Sequence, residues 1–272
     1  MEEVARAKVN LALHVRGREP DGYHRLETIF AFCEHGDVLS VREGEGLSLA
    51  LTGPFASALS PADDNLVLRA ARCLTDRSPV EAGAALLLDK RLPVASGIGG
   101  GSADAAAALR LLNRWWEIGA TEGDLLAIAR TLGADVPACL LSRTARGEGR
   151  GDRLDPIDVP GVAATPILLV NPGVAVSTAA VFRLWDERDG GPLPEDFRAA
   201  RNDLEEPARR LAPQIREVLE ALSSCEGATL VRMSGSGATC FGLFEDRQRR
   251  DAAAARIGAD HPHWWQLCSR LV

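Results

Sequence analysis

The sequence predicts an α+β protein of two lobes, and three observations support this fold class. First, its 272 residues suffice for one large or two modest domains, each with a buried core. Second, strand patterns dominate the N-terminal region, whereas helix and strand patterns alternate in the rest of the chain. Third, a stretch rich in Gly, Asp and Pro interrupts these patterns from about Gly147 to Pro166. We therefore predict two domains, residues 1–155 and residues 156–272.

The N-terminal region is predicted to consist of β-strands. Apolar residues recur at short intervals over Val4–Val15 and predict a strand, which ends at the turn residues Glu19–Gly22. Leu26–Phe32, Val38–Val41 and Leu47–Leu51 predict three further strands.

Helices are predicted to follow these strands in the first lobe. The pair Asp63-Asp64 can cap a helix whose apolar residues recur at helical spacing. Ala84–Leu88 is a compact apolar run suited to a buried strand, and the alanine-rich stretch Ser102–Trp116 favours a helix. Thr121 with Asp124 three residues later has the pattern of a capping box and predicts the start of a further helix.

The second lobe is predicted to alternate strands and helices. The predicted elements are strands over Ile167–Val170, Thr229–Met233, Thr239–Phe244 and Trp264–Leu271, with helices over about Asp203–Leu222 and Arg247–Ile257. This order suits a split βαβ, or ferredoxin-like, α+β sandwich.

Composition and charge exclude several classes of protein. With 46% hydrophobic and 25% charged residues, the chain has the composition of a globular enzyme. The first residues, MEEVARAKVN, lack the features of a signal peptide, and no apolar run approaches the roughly 20 residues of a membrane span. A net charge of -7 argues against binding nucleic acid, although a local basic pocket for an anionic substrate remains possible. We predict a cytoplasmic protein without membrane or nucleic-acid partners.

Cysteine and histidine spacing predicts no metal site. The six cysteines include no C-x-x-C pair, so they are expected to be buried thiols rather than zinc ligands or disulfides. His261 and His263 flank Pro262, but no third ligand lies nearby in the sequence, and a surface loop is expected there.

A glycine-rich segment, Pro93–Ala107, is the strongest functional signal. Four of the five residues over Gly97–Gly101 are glycines, so backbone N–H groups can surround a large anion. The helix that follows would direct its positive end at the same anion, which favours phosphate. Ser102 could donate to a phosphate oxygen or help to hold Mg²⁺.

Other interpretations of this segment are weaker. A Walker A loop is excluded because no Gly-Lys-Ser/Thr sequence ends it. A dinucleotide-binding fingerprint lacks its last glycine and its later aspartate. Glycines that form only a tight turn remain an alternative, although they weaken a fold unless the exposed backbone is used.

Lysine is rare in this chain. Of the 31 lysines and arginines, only Lys8 and Lys90 are lysines. A remaining lysine can mark a place where a compact ammonium is needed and a planar guanidinium does not fit, but chance survival is an equally open explanation. Taken alone, Asp135, before Val136 and Pro137, could simply cap or close a turn.

The motif P-x-x-x-G-I-G-G-G-S-A-D-A-A resembles the phosphate loop of the GHMP kinases. Other segments that resemble this family are Ala7-Lys8-Val9-Asn10-Leu11, Gly17-Arg18, Asp21-Gly22-Tyr23-His24, Asp64-Asn65-Leu66, Asp89-Lys90-Arg91-Leu92-Pro93, Gly133-Ala134-Asp135-Val136-Pro137, Asn171-Pro172-Gly173 and Gly235-Ser236-Gly237-Ala238. Because their order spans nearly the whole chain, the resemblance implies the two-lobed GHMP kinase fold, with an N-terminal ATP-binding α/β domain and a C-terminal ferredoxin-like domain.

The resemblance also implies roles for individual residues. Lys8 and Asp135 match the catalytic pair, in which Asp135 acts as the base. The positions that match nucleotide-binding residues are Asn65, Lys90, Pro93, Gly97, Gly99, Gly100, Gly101 and Ser102. The positions that match substrate-binding residues are Asn10, Tyr23, His24, Thr178, Phe182, Gly235 and Ser236. Ala103 and Asp104 stand where a second serine and an asparagine are common in the family, which puts nucleotide contacts there in doubt.

The branch of the family that fits best phosphorylates 4-diphosphocytidyl-2-C-methyl-D-erythritol. The resemblance implies that ATP, with Mg²⁺, phosphorylates the 2-hydroxyl of this small molecule in the non-mevalonate route to isoprenoid precursors, and that the protein is a monomer or homodimer. A kinase for homoserine or a mevalonate-like acid is the first alternative, but it should need arginines for a carboxylate rather than the pair Tyr23-His24. A catalytically silent nucleotide-binding protein is the second, and the presence of both Lys8 and Asp135 speaks against it.

Overall fold

The computed structural model describes residues 1–61, 64–77 and 83–272. The chain divides into two compact units. The first unit contains Met1–Ala7, His35–Val94 and Gly99–Ser142, and the second contains Lys8–Glu34, Ala95–Ile98 and Arg143–Val272. The division of the sequence at residue 155 stays a prediction. Across the described ranges, none of the helices is long and apolar enough to cross a membrane.

The described elements confirm the α+β class. The strands are β1 Glu2–Arg18, β2 His24–Arg42, β3 Leu47–Thr52, β4 Ala84–Asp89, β5 Ala145–Gly149, β6 Arg153–Pro156, β7 Pro166–Asn171, β8 Ala228–Met233, β9 Cys240–Phe244 and β10 Trp265–Arg270. The α-helices are α1 Leu66–Arg77, α2 Gly100–Trp115, α3 Glu122–Leu132, α4 Val136–Leu141, α5 Thr178–Arg183, α6 Glu205–Leu211, α7 Gln214–Ser223 and α8 Arg247–Asp260.

In the first unit, helices pack together beside a mixed sheet. Strand β3 runs parallel to β4, and β4 pairs antiparallel with the C-terminal part of β2. The predicted capping box is confirmed at the start of α3, where the Thr121 hydroxyl accepts from the Asp124 backbone N–H and the Asp124 carboxylate accepts from the Thr121 N–H. Helix α1 is instead capped by Asn65, whose Oδ1 accepts from Val67 N at 3.0 Å. The predicted cap at Asp63 lies outside the described residues.

In the second unit, a four-stranded antiparallel sheet has the order β10-β7-β9-β8. Counted along the lobe this is 4-1-3-2, which is the predicted ferredoxin-like arrangement. Helices α7 and α8 pack on this sheet around a core that includes Leu168, Ile215 and Ile257. That core extends to Leu13 and Val15 of β1.

Two of the sequence predictions need correction. The strands predicted over Leu26–Phe32 and Val38–Val41 form one strand, β2. Gly36, which lies between them, packs so closely against β1 that an added Cβ would lie 1.9 Å from the Ala5 carbonyl oxygen. The helix predicted over Asp203–Leu222 is two helices, α6 and α7, because Pro213 cannot donate the backbone hydrogen bond that a continuous helix needs.

The segment predicted to cross between the lobes contains ordered strands. Strand β5 pairs antiparallel with the N-terminal part of β2 and with β6. Gly147 is required by packing, since a Cβ there would lie 2.7 Å from the Phe30 ring. The glycines of this segment therefore reflect close contacts as much as loop structure.

Candidate active site

Lys8 and Asn10 lie two residues apart on β1 and share one face, as the period of a strand predicts. Both side chains are buried, each only 3% exposed. The Lys8 Nζ donates to Asn10 Oδ1 at 2.9 Å, and Asn10 Nδ2 donates to the Thr28 hydroxyl on β2 at 2.8 Å. The ammonium also lies 5.4 Å from the centre of the Phe30 ring. This strand therefore presents a positively charged group with a fixed polar neighbour.

The part of the glycine-rich segment in the second unit, Ala95–Ile98, is held by a second glycine loop, Ser234–Ala238. The Ser234 hydroxyl donates to Gly97 O at 3.0 Å and accepts from Asn10 N at 3.1 Å. Gly97 has φ +80°, and a Cβ added there would lie 2.5 Å from Ser234 O. A glycine is therefore required at position 97 for both reasons.

The second glycine loop is held in place by hydrogen bonds from the Asn202 side chain. Asn202 Nδ2 donates to Met233 O and Gly235 O, both at 2.8 Å. Gly235 has φ +57°, and a Cβ there would lie 2.8 Å from Gly97 O. Ser236 Oγ lies 2.8 Å from the hydroxyl oxygen of Thr178, the first residue of α5. The substrate-binding positions predicted at 178, 235 and 236 thus lie in one connected group.

The part of the glycine-rich segment in the first unit opens helix α2. Gly99 is the N-cap with φ +65°, and Gly100, Gly101 and Ser102 form the first turn, which carries no acidic residue. The first backbone N–H groups of a helix have no acceptor within the helix, and the helix dipole adds positive potential at the same place. The start of α2 has the features of a phosphate-binding helix terminus.

Lys90 lies beneath this helix start and is 1% exposed. Its Nζ donates to Asp37 Oδ2 at 2.5 Å and to Asp104 Oδ2 at 2.7 Å. Gly100 packs closely against it, since a Cβ added there would lie 3.0 Å from the ammonium. Lys90 is therefore a buried charge that joins β2, β4 and α2.

The two carboxylates around Lys90 differ in their surroundings. Asp37 Oδ1 also accepts from the backbone N–H groups of Arg91 and Leu92, at 2.6 and 2.8 Å. Asp104 is 2% exposed, and within the described part of the chain its Oδ1 has no hydrogen-bond partner. Burial raises the pKa of Asp104 to about 8, which the Lys90 charge offsets only in part. Burial by itself lowers the pKa of Lys90, but the carboxylates of Asp104 and Asp37 outweigh this effect, and the pKa is raised.

An aromatic group surrounds His24 at the start of β2. The His24 ring stacks on Phe182 with centroids 4.6 Å apart and meets the edge of Trp185 at 5.6 Å. Burial, followed by the nearby Arg18 charge, lowers the pKa of His24 and favours the neutral imidazole. Tyr23 is 58% exposed, and the guanidinium carbon of Arg150 lies 4.0 Å from the centre of its ring.

A loop that follows α5 is tied to β1 and β2. The Arg16 Nε donates to Asp189 Oδ1 at 2.8 Å, and Glu27 Oε2 accepts from Leu193 N at 2.9 Å. His14 lies 3.0 Å from Gly191 O through Nδ1 and accepts from the Arg201 backbone N–H through Nε2. These contacts hold the loop next to the helix that carries Phe182.

The remaining predicted site residues lie in the first unit. Asp135 precedes α4 and is half-buried. Its side chain makes no capping hydrogen bond to that helix, and the residue stands in a turn closed by the hydrogen bond from Val136 N to Gly133 O at 3.2 Å. Asn65 uses its amide to cap α1 and to bind Ser60 O at 2.9 Å. Pro93 is buried, and Ser102 is half-buried.

Sequence reasoning missed three residues of the site. Trp185 lies three residues after Phe182, a helical spacing that could have indicated it. Thr28 and Arg150 are joined to Asn10 and Tyr23 only through pairing of distant strands, so no local signal marked them. In the described part of the chain, no three His, Cys, Asp or Glu residues are grouped as metal ligands.

The fold and the glycine loop are those of the GHMP kinases. The family model for the GHMP kinases N terminal domain matches residues 65–143, and the model for the GHMP kinases C terminal domain matches residues 188–263.

Comparison with individual proteins narrows this class. The 4-diphosphocytidyl-2-C-methyl-D-erythritol kinase of Rhizorhabdus wittichii is 55% identical, over 99% of this chain and 94% of the relative. The kinase of the same name from Cereibacter sphaeroides is 49% identical, over 100% of this chain and 99% of the relative. A crystal structure of 4-(cytidine 5'-diphospho)-2C-methyl-D-erythritol kinase superposes with a TM-score of 0.86 at 38% identity, covering 100% of this chain and 99% of that one. The chain belongs to the 4-diphosphocytidyl-2-C-methyl-D-erythritol kinase family of the GHMP kinases.

Proposed function

We propose that this protein transfers the γ-phosphate of ATP to the 2-hydroxyl of 4-diphosphocytidyl-2-C-methyl-D-erythritol, a step in the formation of isoprenoid precursors. The observation that carries the proposal is the similarity, along essentially the whole chain, to kinases named for this substrate. The aromatic group around His24 supports it, because a pyrimidine ring needs flat apolar surfaces and hydrogen-bonding edges.

The triphosphate of ATP binds at the glycine-rich segment. The backbone N–H groups that approach the phosphates come from Gly97, Gly99, Gly100, Gly101 and Ser102, with Asn65, Lys90 and Pro93 in the surrounding nucleotide site. Their contribution is largely geometric, since phosphoryl transfer depends on positioning and on neutralising charge.

Mg²⁺ would accompany the nucleotide. The residues fit this role, because the first turn of α2 offers the half-buried Ser102 hydroxyl. Mg²⁺ is commonly bound through substrate phosphates and a small number of protein oxygens. The ion would neutralise phosphate charge, and Ser102 would be its protein ligand.

Lys8 and Asp135 are the proposed catalytic residues. Asp135 orients the 2-hydroxyl and accepts its proton, and Lys8 stabilises the developing alkoxide. The burial of Lys8 and its contact with Asn10 support this role, because a fixed ammonium stabilises negative charge more effectively than a mobile one.

The cytidine end of the substrate is proposed to bind the aromatic group. Neutral His24 can donate and accept a hydrogen bond at once, as the edge of a cytosine requires. Tyr23 and Phe182 offer ring faces, and Asn10, Thr178, Gly235 and Ser236 complete the substrate side. A monomer or homodimer in the cytoplasm stays the expected setting.

The deciding experiment measures ATP consumption by the purified protein with the cytidyl alcohol, with homoserine and with mevalonate. Turnover with the cytidyl alcohol alone is expected. Turnover only with one of the other two would refute the substrate, and ATP binding without any turnover would indicate a silent nucleotide-binding protein. Asp135→Asn should lower kcat by about 100-fold or more while ATP still binds, as expected for loss of a general base.

A further inference from the structure

The hydroxyl of Thr28 lies at the end of a buried hydrogen-bond chain. Thr28 is on β2, is 1% exposed, and its Oγ1 lies 2.6 Å from Ala12 O and 2.8 Å from Asn10 Nδ2. A carbonyl oxygen can only accept, so the single hydroxyl hydrogen goes to Ala12. The oxygen of Thr28 is then available only as an acceptor, and it receives a hydrogen of the Asn10 amide.

The direction of this chain fixes which end of the Asn10 amide faces Lys8. With Nδ2 turned to Thr28, Oδ1 is turned to the Lys8 ammonium at 2.9 Å. An ammonium only donates, so it can pair with Oδ1 but not with Nδ2. The backbone of Asn10 is held as well, since its N–H donates to the Ser234 hydroxyl at 3.1 Å. The three side-chain contacts from Ala12 to Lys8 therefore fit one orientation of the Asn10 amide.

We propose that Thr28 is a positioning residue for the phosphoryl transfer, which acts through the Asn10 amide on the Lys8 ammonium. This inference rests on the proposed catalytic role of Lys8. Thr28 itself contacts neither substrate nor nucleotide in this role. Its hydroxyl holds the amide oxygen toward Lys8, so that the ammonium is aimed before the substrate arrives.

Loss of the hydroxyl should disturb Lys8 in a defined way. In Thr28→Val, the amide hydrogens of Asn10 lose their buried acceptor, and the amide can turn its NH₂ group toward the ammonium. Both states are unfavourable, because a buried donor without an acceptor is costly and two donors repel each other. We expect kcat to fall by about 10- to 100-fold, the size of one lost charge-assisted hydrogen bond, with the KM for ATP unchanged within about twofold.

The test compares Thr28→Val, Thr28→Ser and the matched control Thr229→Val. Serine keeps the hydroxyl and should restore most of kcat. Thr229 is a strand residue whose hydroxyl donates to Leu243 O at 3.2 Å outside this chain of contacts, so its replacement should leave kcat near wild type. If Thr28→Val has the same kcat as the control Thr229→Val, the proposal is overturned. If the valine variant does not fold, as thermal unfolding will show, Thr28→Ala takes its place.

A double-mutant cycle separates positioning from a general structural effect. In an Asn10→Ala background, loss of the Thr28 hydroxyl should lower kcat no further, because the amide that transmits its effect is already absent. Losses of kcat that multiply in the double variant would overturn the proposal.

A readout without turnover keeps this test independent of the proposed substrate. Exchange of the Asn10 side-chain amide hydrogens, followed by ¹⁵N NMR, should be slow in wild type and Thr28→Ser and fast in Thr28→Val. Equal exchange in all three proteins would overturn the proposal even if the wild type phosphorylates the cytidyl alcohol. Failure of wild-type turnover would refute only the proposed function.

Discussion

Replacement of Asp104 by Asn is expected to stabilise the protein, and increasingly so as the pH rises. The Asn side chain keeps one oxygen to accept from Lys90, in place of the Oδ2 that now lies 2.7 Å from Nζ. It replaces the charged oxygen Oδ1, for which the described residues provide no partner, by an uncharged NH₂ group at the same place. Burial next to the second carboxylate of Asp37 is costly for a charged Asp104, and one lysine neutralises only one of the two.

The sign of the pH dependence follows from the raised pKa. Burial raises the pKa of Asp104 from 3.8 to about 8, so the folded protein keeps a proton that the unfolded chain releases above about pH 4. Stability is therefore greatest below the unfolded pKa and falls as the pH rises toward 8. Asn carries no such proton, so the advantage of the variant grows over this window.

The magnitude has an upper limit set by the same shift. While the folded protein holds one more proton than the unfolded chain, the free energy of unfolding falls by at most ~1.4 kcal/mol per pH unit. Structural relaxation reduces the cost of the buried charge, and the NH₂ of Asn offsets part of the gain because it lacks an acceptor, so we expect a net stabilisation of about 1–3 kcal/mol at pH 7.

Urea unfolding of wild type and Asp104→Asn at pH 5, 6, 7 and 8 measures this difference. Asp37→Asn is the matched control and should destabilise at every pH, because Asp37 accepts from Lys90 and from two backbone N–H groups. An Asp104→Asn variant that is less stable than wild type at pH 8, or whose advantage is the same at pH 5 and pH 8, would refute the reasoning.

Three further predictions concern the substrate side and the glycine loop. Arg150→Ala should raise the KM for the cytidyl alcohol about three- to tenfold without changing the KM for ATP, because the ring of Tyr23 loses a cation–π contact at 4.0 Å. His14, whose pKa is lowered chiefly by burial, should contribute stability above about pH 6.5 that is lost in acid, so His14→Gln should flatten the fall in urea midpoint from pH 7 to pH 5. Gly97→Ala should raise the KM for ATP at least about tenfold, because its Cβ would meet Ser234 O at 2.5 Å and its φ of +80° is strained for alanine.

Matched variants control these three measurements. Arg153→Ala removes a largely exposed arginine at the start of β6, directly after the turn that carries Arg150, and should leave both KM values unchanged. Gly46→Ala adds a Cβ with nothing within 4 Å and should leave the KM for ATP unchanged. Equal effects of Arg150→Ala on both KM values, an unchanged acid response in His14→Gln, or normal ATP affinity in Gly97→Ala would each contradict the corresponding prediction.

Local features of the fold were predictable from the sequence because the interactions that form them are local. The capping box joins Thr121 to Asp124, three positions later, and both of its hydrogen bonds form as expected. The continuity of β2 was missed because Gly36, which lies between the two predicted strands, packs against the backbone of Ala5, and a contact between residues so distant in sequence leaves no local signal. The break at Pro213 carried a local signal that the apolar helical pattern obscured.

The same limit applies to the candidate site: residues marked by a local pattern could be predicted, and residues that meet only through distant strands could not. The strand period places Lys8 and Asn10 on one face, and the run of glycines before an alanine-rich helix indicates an anion site without any tertiary information. Thr28 became visible only when β2 was placed beside β1, because a threonine in a strand is otherwise ordinary.

The sequence by itself determined the fold class, the glycine loop and the scarcity of lysine, which follow from composition and from patterns that repeat over a few residues. Only the tertiary structure decided what the second lysine does. Lys90 meets one carboxylate 53 residues away and another 14 residues away, and the two compete for one ammonium beneath the start of α2. The interaction between two charges depends on their distance in space and becomes stronger when they are buried. Neither the pairing of these groups nor its desolvation cost can therefore be predicted from their separation along the chain.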